Sequence, residues 1–133
     1  MAALDTNVLV RFLVQDDAAQ LSAARRLIGR CIRENESLFV PATVSLELEW
    51  VLRSNYGFTK ADIVRVLSQL LSSTELSFEA ESALEIALAT YSETRADYAD
   101  CLHLALAVQA GEQPLWTFDR AASKLEGARL LAS

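Results

Sequence analysis

Ala2-Ala3-Leu4-Asp5-Thr6-Asn7-Val8-Leu9-Val10-Arg11-Phe12-Leu13 carries three local signals in immediate succession. Ala2 to Leu4 is a short apolar start. Asp5-Thr6-Asn7 breaks it, and Val8, Leu9, Phe12 and Leu13 then recur with helical spacing. The reading is strand, turn, helix, with an acid at the carboxyl end of the strand. In open α/β sheets that end is where ligands bind.

The same alternation continues outward. Asp16 or Asp17 can cap a second helix, read to about Asn35, with Leu21, Ala24, Ile28 and Cys31 as its apolar stripe. Leu38-Phe39-Val40-Pro41 is a short strand ended by proline. Thr43 is expected to cap a helix to Asn55 that Gly57 stops, and Thr59 with Asp62 forms a capping-box pattern opening another, to about Leu71. Thr74 to Phe78 is a strand, Glu79 to Thr94 and Tyr98 to Ala110 are helices, and Gly111 closes the latter. Leu115-Trp116-Thr117-Phe118 and Ala128 to Leu131 complete the strands. Strands alternating with helices predict a mostly parallel sheet covered on both faces.

With 133 residues, 52% of them hydrophobic, the chain suits one domain spanning 1–133. Such a domain buries roughly two thirds of its unfolded surface and needs no structural metal or disulfide. The start lacks the basic and long apolar regions of an export signal, and no apolar run approaches the ~20 residues of a membrane helix, so a cytoplasmic location is expected. Cys31 and Cys101 lie within helical patterns without CxxC spacing and read as buried thiols. The net charge of -6 argues against a nucleic-acid partner until its distribution is considered. Residues 1–66 carry eight basic and eight acidic side chains, residues 67–133 four and ten. Concentrated acid can ligate metal, although Glu75, Glu79, Glu81, Glu85 and Glu93 read as solvated surface.

Four acids carry the chemical argument. Asp5 and Asp119 each follow a strand, with Thr6, Asn7 and Thr117 as hydroxyl and amide neighbours. The competing reading of both is helix capping. Glu47 projects along the direction shared by Val44 and Val51, which reads as inward, while Glu49, about 160° away, reads as outward. An inward carboxylate with no cation at i+3 or i+4 suits a metal; the alternative is a side chain bent to solvent. Asp97 and Asp100 share one face at a helix start, Asp100 as a ligand and Asp97 as cap or secondary ligand. His103, the only histidine, reads as structural. Arg26, Arg30 and Arg33, at i, i+4 and i+7, form a basic ridge suited to RNA or a protein partner, or else a solvated face. Arg11 is a further nucleic-acid candidate.

The motifs DTNVLVRFL, ELEWVL, ADYADCLHLALA and LWTFDR, in that order over nearly the whole chain, resemble the PIN-domain family. Within it they resemble the VapC-type toxins of bacterial toxin-antitoxin modules. The resemblance implies a three-layer α/β/α fold with strand order 3-2-1-4-5. It also implies a Mg²⁺- or Mn²⁺-dependent endoribonuclease, a cognate antitoxin and a homodimer. Its four acids fall on Asp5, Glu47, Asp100 and Asp119, with Thr6 and Thr117 as hydroxyl neighbours and Asp97 as a less constant acid. Hard oxygen donors without a Cys/His cluster fit Mg²⁺ or Mn²⁺ better than zinc. The alternative from another class is a catalytically silent scaffold that binds RNA or a protein. Phosphoryl-transfer and receiver folds are disfavoured, because neither a GxxxxGK[ST] loop nor a DxDx[TV] motif occurs.

Overall fold

The computed structural model describes residues 2–133, which form two compact units, one running to Glu79 and the other from Ala80 to Ser133. The first contains β1 (Ala2–Ala3), α1 (Thr6–Val14), α2 (Ala18–Arg33), β2 (Leu38–Val40), α3 (Ala42–Tyr56), α4 (Lys60–Leu71) and β3 (Leu76–Phe78). The second contains α5 (Glu81–Glu93), α6 (Tyr98–Gln109), β4 (Leu115–Thr117), α7 (Arg120–Ser123) and β5 (Ala128–Leu130). All the pairings are parallel, as the alternation of strands and helices predicts. The first unit has the order β1-β2-β3 and the second pairs β4 with β5. The segments 3-2-1 and 4-5 of the expected order are therefore present within their own units. The step between strands 1 and 4 rests on the resemblance alone.

Period-two burial identifies β2 as a central strand: Leu38 and Val40 are fully buried and Phe39 between them is exposed. Backbone bonds from Leu4 to Phe39 (2.9 Å) and from Glu79 to Val40 (2.9 Å) carry the ladder past the ends of β1 and β3. Asp5 thus leaves the sheet at the carboxyl end of β1 and turns directly into α1. Around the sheet, Leu9, Val10, Leu48, Leu52, Ile63 and Leu67 form much of the first core. In the second unit α5 packs along α6, and Leu84, Leu88, Leu102 and Ala105 of these helices are buried. Cys31 and Cys101 are buried and form no disulfide, as expected.

The predicted local punctuation is largely present. Asp17 caps α2 through the Gln20 amide (3.0 Å), and Thr59 and Asp62 form a complete capping box on α4. Gly57 and Gly111 take left-handed conformations at φ +67 and +75, where a side chain is strained. Thr43 does not cap α3. That helix begins at Ala42 with Pro41 at its cap position, and the Ala42 amide donates to Glu79 Oε1 at 2.9 Å. Glu79, expected to be a solvated acid, therefore meets an orphan donor and the positive end of the helix dipole from 37 residues away.

A second correction concerns α3 itself. Its buried stripe is Val44, Ser45, Leu48, Glu49 and Leu52, so Glu47 is exposed, about 130° from the stripe's centre, and Glu49 is the inward acid. Val51 is only half-buried, so the Val44–Val51 direction was the wrong guide. Glu49 is 4% exposed and accepts a hydrogen bond from Arg53 Nε at 2.8 Å, one turn on. The missed signal was that cation at i+4 from Glu49, absent at the same distance from Glu47. A carboxylate this buried depends on its partners. Arg53→Ala is expected to lower stability by about 1 to 2 kcal/mol, reduced from the fully buried case because Arg53 is half exposed. At this chain length that is a fall of roughly 3 to 8 °C in thermal midpoint. An unchanged midpoint would show that the pair contributes nothing to the fold.

Candidate metal centre

The second unit brings three carboxylates together. One oxygen from each of Asp97, Asp100 and Asp119 lies within 4.8 Å of the other two. Their positions follow from local structure. Tyr98, buried and set edge-to-face on Tyr91 with ring centroids 5.5 Å apart, anchors the first turn of α6. Asp97 immediately precedes that turn and Asp100 lies within it. Asp97 occupies the cap position without making a side-chain capping bond, so its carboxylate is not committed to the helix. Of the two expected roles, a side-chain cap is not made. Asp119 follows β4, where its amide donates to Thr117 Oγ1 (3.0 Å) and its Oδ1 accepts from the Ala122 amide (2.9 Å). Capping and convergence on the cluster coexist, because the two carboxylate oxygens can serve different partners.

Asp100 is half-buried between two exposed acids, and its carboxyl is held above the usual carboxylate range. Burial is the largest cause, followed by the charges of Asp119 and then Asp97; His103, one turn along the helix, partly offsets them. The donor set fits a hard divalent cation: three carboxylates, with no cysteine in the cluster, and a group whose charge is disfavoured by burial and by its acidic neighbours.

Asp5 and Glu47 belong to the first unit, in which α1 packs on α3. Both carboxylates are exposed. Asp5 Oδ1 accepts from the Thr6 amide at 2.7 Å, and Thr6 Oγ1, in a residue only 2% exposed, has no hydrogen-bond partner among the described residues. A buried hydroxyl in that condition is costly, and such groups concentrate at functional positions. Asn7 is exposed beside it. Glu47, a candidate for its inward direction, is accessible for the opposite reason.

Of the basic candidates, Arg26, Arg30 and Arg33 stand exposed on α2 without an ion pair among the described residues. Arg11 differs. Its guanidinium donates to Gln20 (2.6 Å), Asp16 (3.0 Å) and the Tyr56 hydroxyl (3.1 Å), and Tyr56 in turn donates to Asp16 (3.0 Å). The Tyr56 bond foremost, and then Arg11, holds Asp16 below the usual range. Arg11 is thus a structural tie between α1, the turn after it and the end of α3.

The sequence model of the family described as PIN domain matches residues 2–128, a span that includes both units. The chain is also 28% identical over 125 residues to the VapC ribonuclease of Aquifex aeolicus, covering 94% of this chain and 92% of that one.

A carboxyl whose pKa is raised by folding binds its proton more tightly in the native state. Its contribution to stability therefore falls as pH rises from the ordinary carboxylate range through the raised value, and the penalty persists at neutral pH. Asp100→Asn is expected to melt above the wild type in EDTA at pH 7, with the difference shrinking on acidification. Mg²⁺ at ~10 mM should raise the wild-type midpoint by roughly 3 to 5 °C if its affinity is about 1 mM, with NaCl matched for ionic strength. Equal metal shifts in the two proteins would remove Asp100 from the ligand set.

Proposed function

The chain belongs to the PIN-domain family, and on that premise we propose that it is a metal-dependent endoribonuclease, the toxin of a toxin-antitoxin pair. The observation that carries the reading is the convergence of Asp97, Asp100 and Asp119 within a family-matched chain. The likeness to a VapC ribonuclease supplies the substrate class and the expectation of an antitoxin. One match running from residue 2 to 128 supports a single nuclease domain. No described helix is long and apolar enough to cross a membrane.

Asp97, Asp100 and Asp119 hold Mg²⁺ or Mn²⁺ in this reading, and Asp5 and Glu47 are assigned metal-binding roles by their motifs alone. A bound divalent ion neutralises phosphodiester charge and acidifies a water. The protein supplies the rest. Burial and neighbouring charges make Asp100 the carboxylate with most to gain from a cation. The Thr117 hydroxyl and the Ala122 amide fix Asp119, and the Asp5–Thr6 contact fixes the first acid. Direct approach of RNA to these acids is repulsive, so activity requires the cation. Hydrolysis at phosphorus without use of the ribose hydroxyl leaves a 5′-phosphate and a 3′-hydroxyl.

The antitoxin is expected to present an arginine to the acidic cluster, since a guanidinium pairs with carboxylates in bidentate fashion and competes with metal. A homodimer is proposed on the resemblance alone.

The test is cleavage of a panel of structured RNAs by purified protein in Mn²⁺ or EDTA, with end mapping. Asp5→Asn, Glu47→Gln and Asp100→Asn should each reduce cleavage by at least ~100-fold with circular dichroism unchanged. Wild-type turnover in all three would overturn the assignment, as would cleavage that persists in EDTA.

A further inference from the structure

Between its cap, Asp17, and its end at Arg33, α2 holds four arginines and no acid. Arg25 adds a fourth cation to Arg26, Arg30 and Arg33. All four are exposed and none has an ion pair among the described residues; their one hydrogen bond is a 3.4 Å contact of Arg26 with Ser22 Oγ. In α3 and α4, by contrast, an acid stands one turn from the arginine and pairs with it, Glu49 with Arg53 at 2.8 Å and Asp62 with Arg65 at 3.5 Å. At 100° per residue the four arginines of α2 fall within about 140° of arc, opposite the buried Ala24 and Cys31, and they span roughly 12 Å of helix. Arg26 with Arg30 and Arg30 with Arg33 are like-charge pairs at spacings that destabilise a helix. The helix dipole compensates Arg30 and Arg33, which lie in the last turn, but not Arg25 and Arg26.

We propose that this face of α2 anchors the sugar-phosphate backbone of RNA without metal, through residues of the first unit alone. The inference rests on the nuclease reading for RNA as the polyanion and adds a surface that holds the polymer. A chain of net charge -6 offers a polyanion no general attraction, so a local cationic face is what can retain it. Guanidinium groups meet phosphate oxygens as bidentate donors, and their charge releases counterions condensed on the polymer. The rest of the arc is Ala18, Ala19, Ser22 and Gly29, so nothing bulky stands between the arginines and a chain lying along the helix. A protein partner would need an aromatic or aliphatic anchor, and the arc offers none. A membrane-surface helix would need a free apolar face. The apolar side of α2 packs on α1, and Ile32 is the one large apolar side chain of the helix that stands exposed.

The tests separate this surface from the nuclease reading. Anisotropy of a fluorescein-labelled RNA is measured in EDTA, which removes divalent ions, over about 50 to 300 mM NaCl. Wild-type affinity should fall with salt at a logarithmic slope of about 3. Arg26→Gln with Arg30→Gln should weaken binding about tenfold and reduce that slope by roughly 1.5. Glutamine is a good helix former, so circular dichroism and the thermal midpoint should hold. Lysine at both positions should keep the slope, because phosphate needs the charge. Arg65→Gln on α4 should weaken binding less than Arg26→Gln; equal losses would reduce the ridge to net charge and overturn the proposal. In Mn²⁺, kcat/KM for cleavage should fall about tenfold in the double variant through KM, with the Mn²⁺ melting shift retained. No RNA binding by the wild type in EDTA, or unaltered affinity in the double variant, would overturn the anchoring role even where metal-dependent cleavage is found. So would tighter binding to anionic phospholipid vesicles than to RNA, or a changed oligomeric state of the double variant in sedimentation. RNA binding that is lost with the ridge, in a protein that cleaves in no metal, would support the surface and count against the nuclease reading.

Discussion

Three carboxylates with oxygens within 4.8 Å of one another impose the constraint around which this protein is organised. Burial, and then the charges of Asp119 and Asp97, hold the Asp100 carboxyl above the usual carboxylate range. A core selected for stability alone has no use for such a cluster. Its persistence is possible because the surrounding second unit is well packed: Tyr98 is anchored on Tyr91, α6 lies along α5, and the turn after β4 is braced by Thr117 and Ala122. The N-terminal end of α6 offsets part of the repulsion through its dipole. A cation would offset much more.

The nuclease reading proposed above divides the work between residue types. The convergent carboxylates suit a cation, and exposed residues of other kinds, the arginines of α2 and Trp116 with Arg129 of β4 and β5, suit a polymer.

Sequence revealed those features that are decided locally. The strand-turn-helix at Asp5, the capping box at Thr59 and Asp62, the left-handed glycines and the buried cysteines all depend on neighbours a few residues away. So does the pairing of Asp97 with Asp100 on one helical face. What escaped depended on distant partners. Glu79 caps α3 from 37 residues away, and Arg11 is tied to Tyr56 across 45. Helix rotation was the other failure, since two valines could not orient α3 when five buried positions define its stripe, and Glu47 and Glu49 were exchanged as a result.

The central claim is that the acids of the second unit bind a divalent cation, and carbon-detected NMR titration of the Asp100 carboxyl tests it most directly. In EDTA its midpoint should stand above the ordinary aspartate range, and saturating Mg²⁺ should drive it down, with Asn at Asp97 or Asp119 diminishing both effects. An Asp100 midpoint within the ordinary range and insensitive to Mg²⁺ or Mn²⁺ would contradict the account.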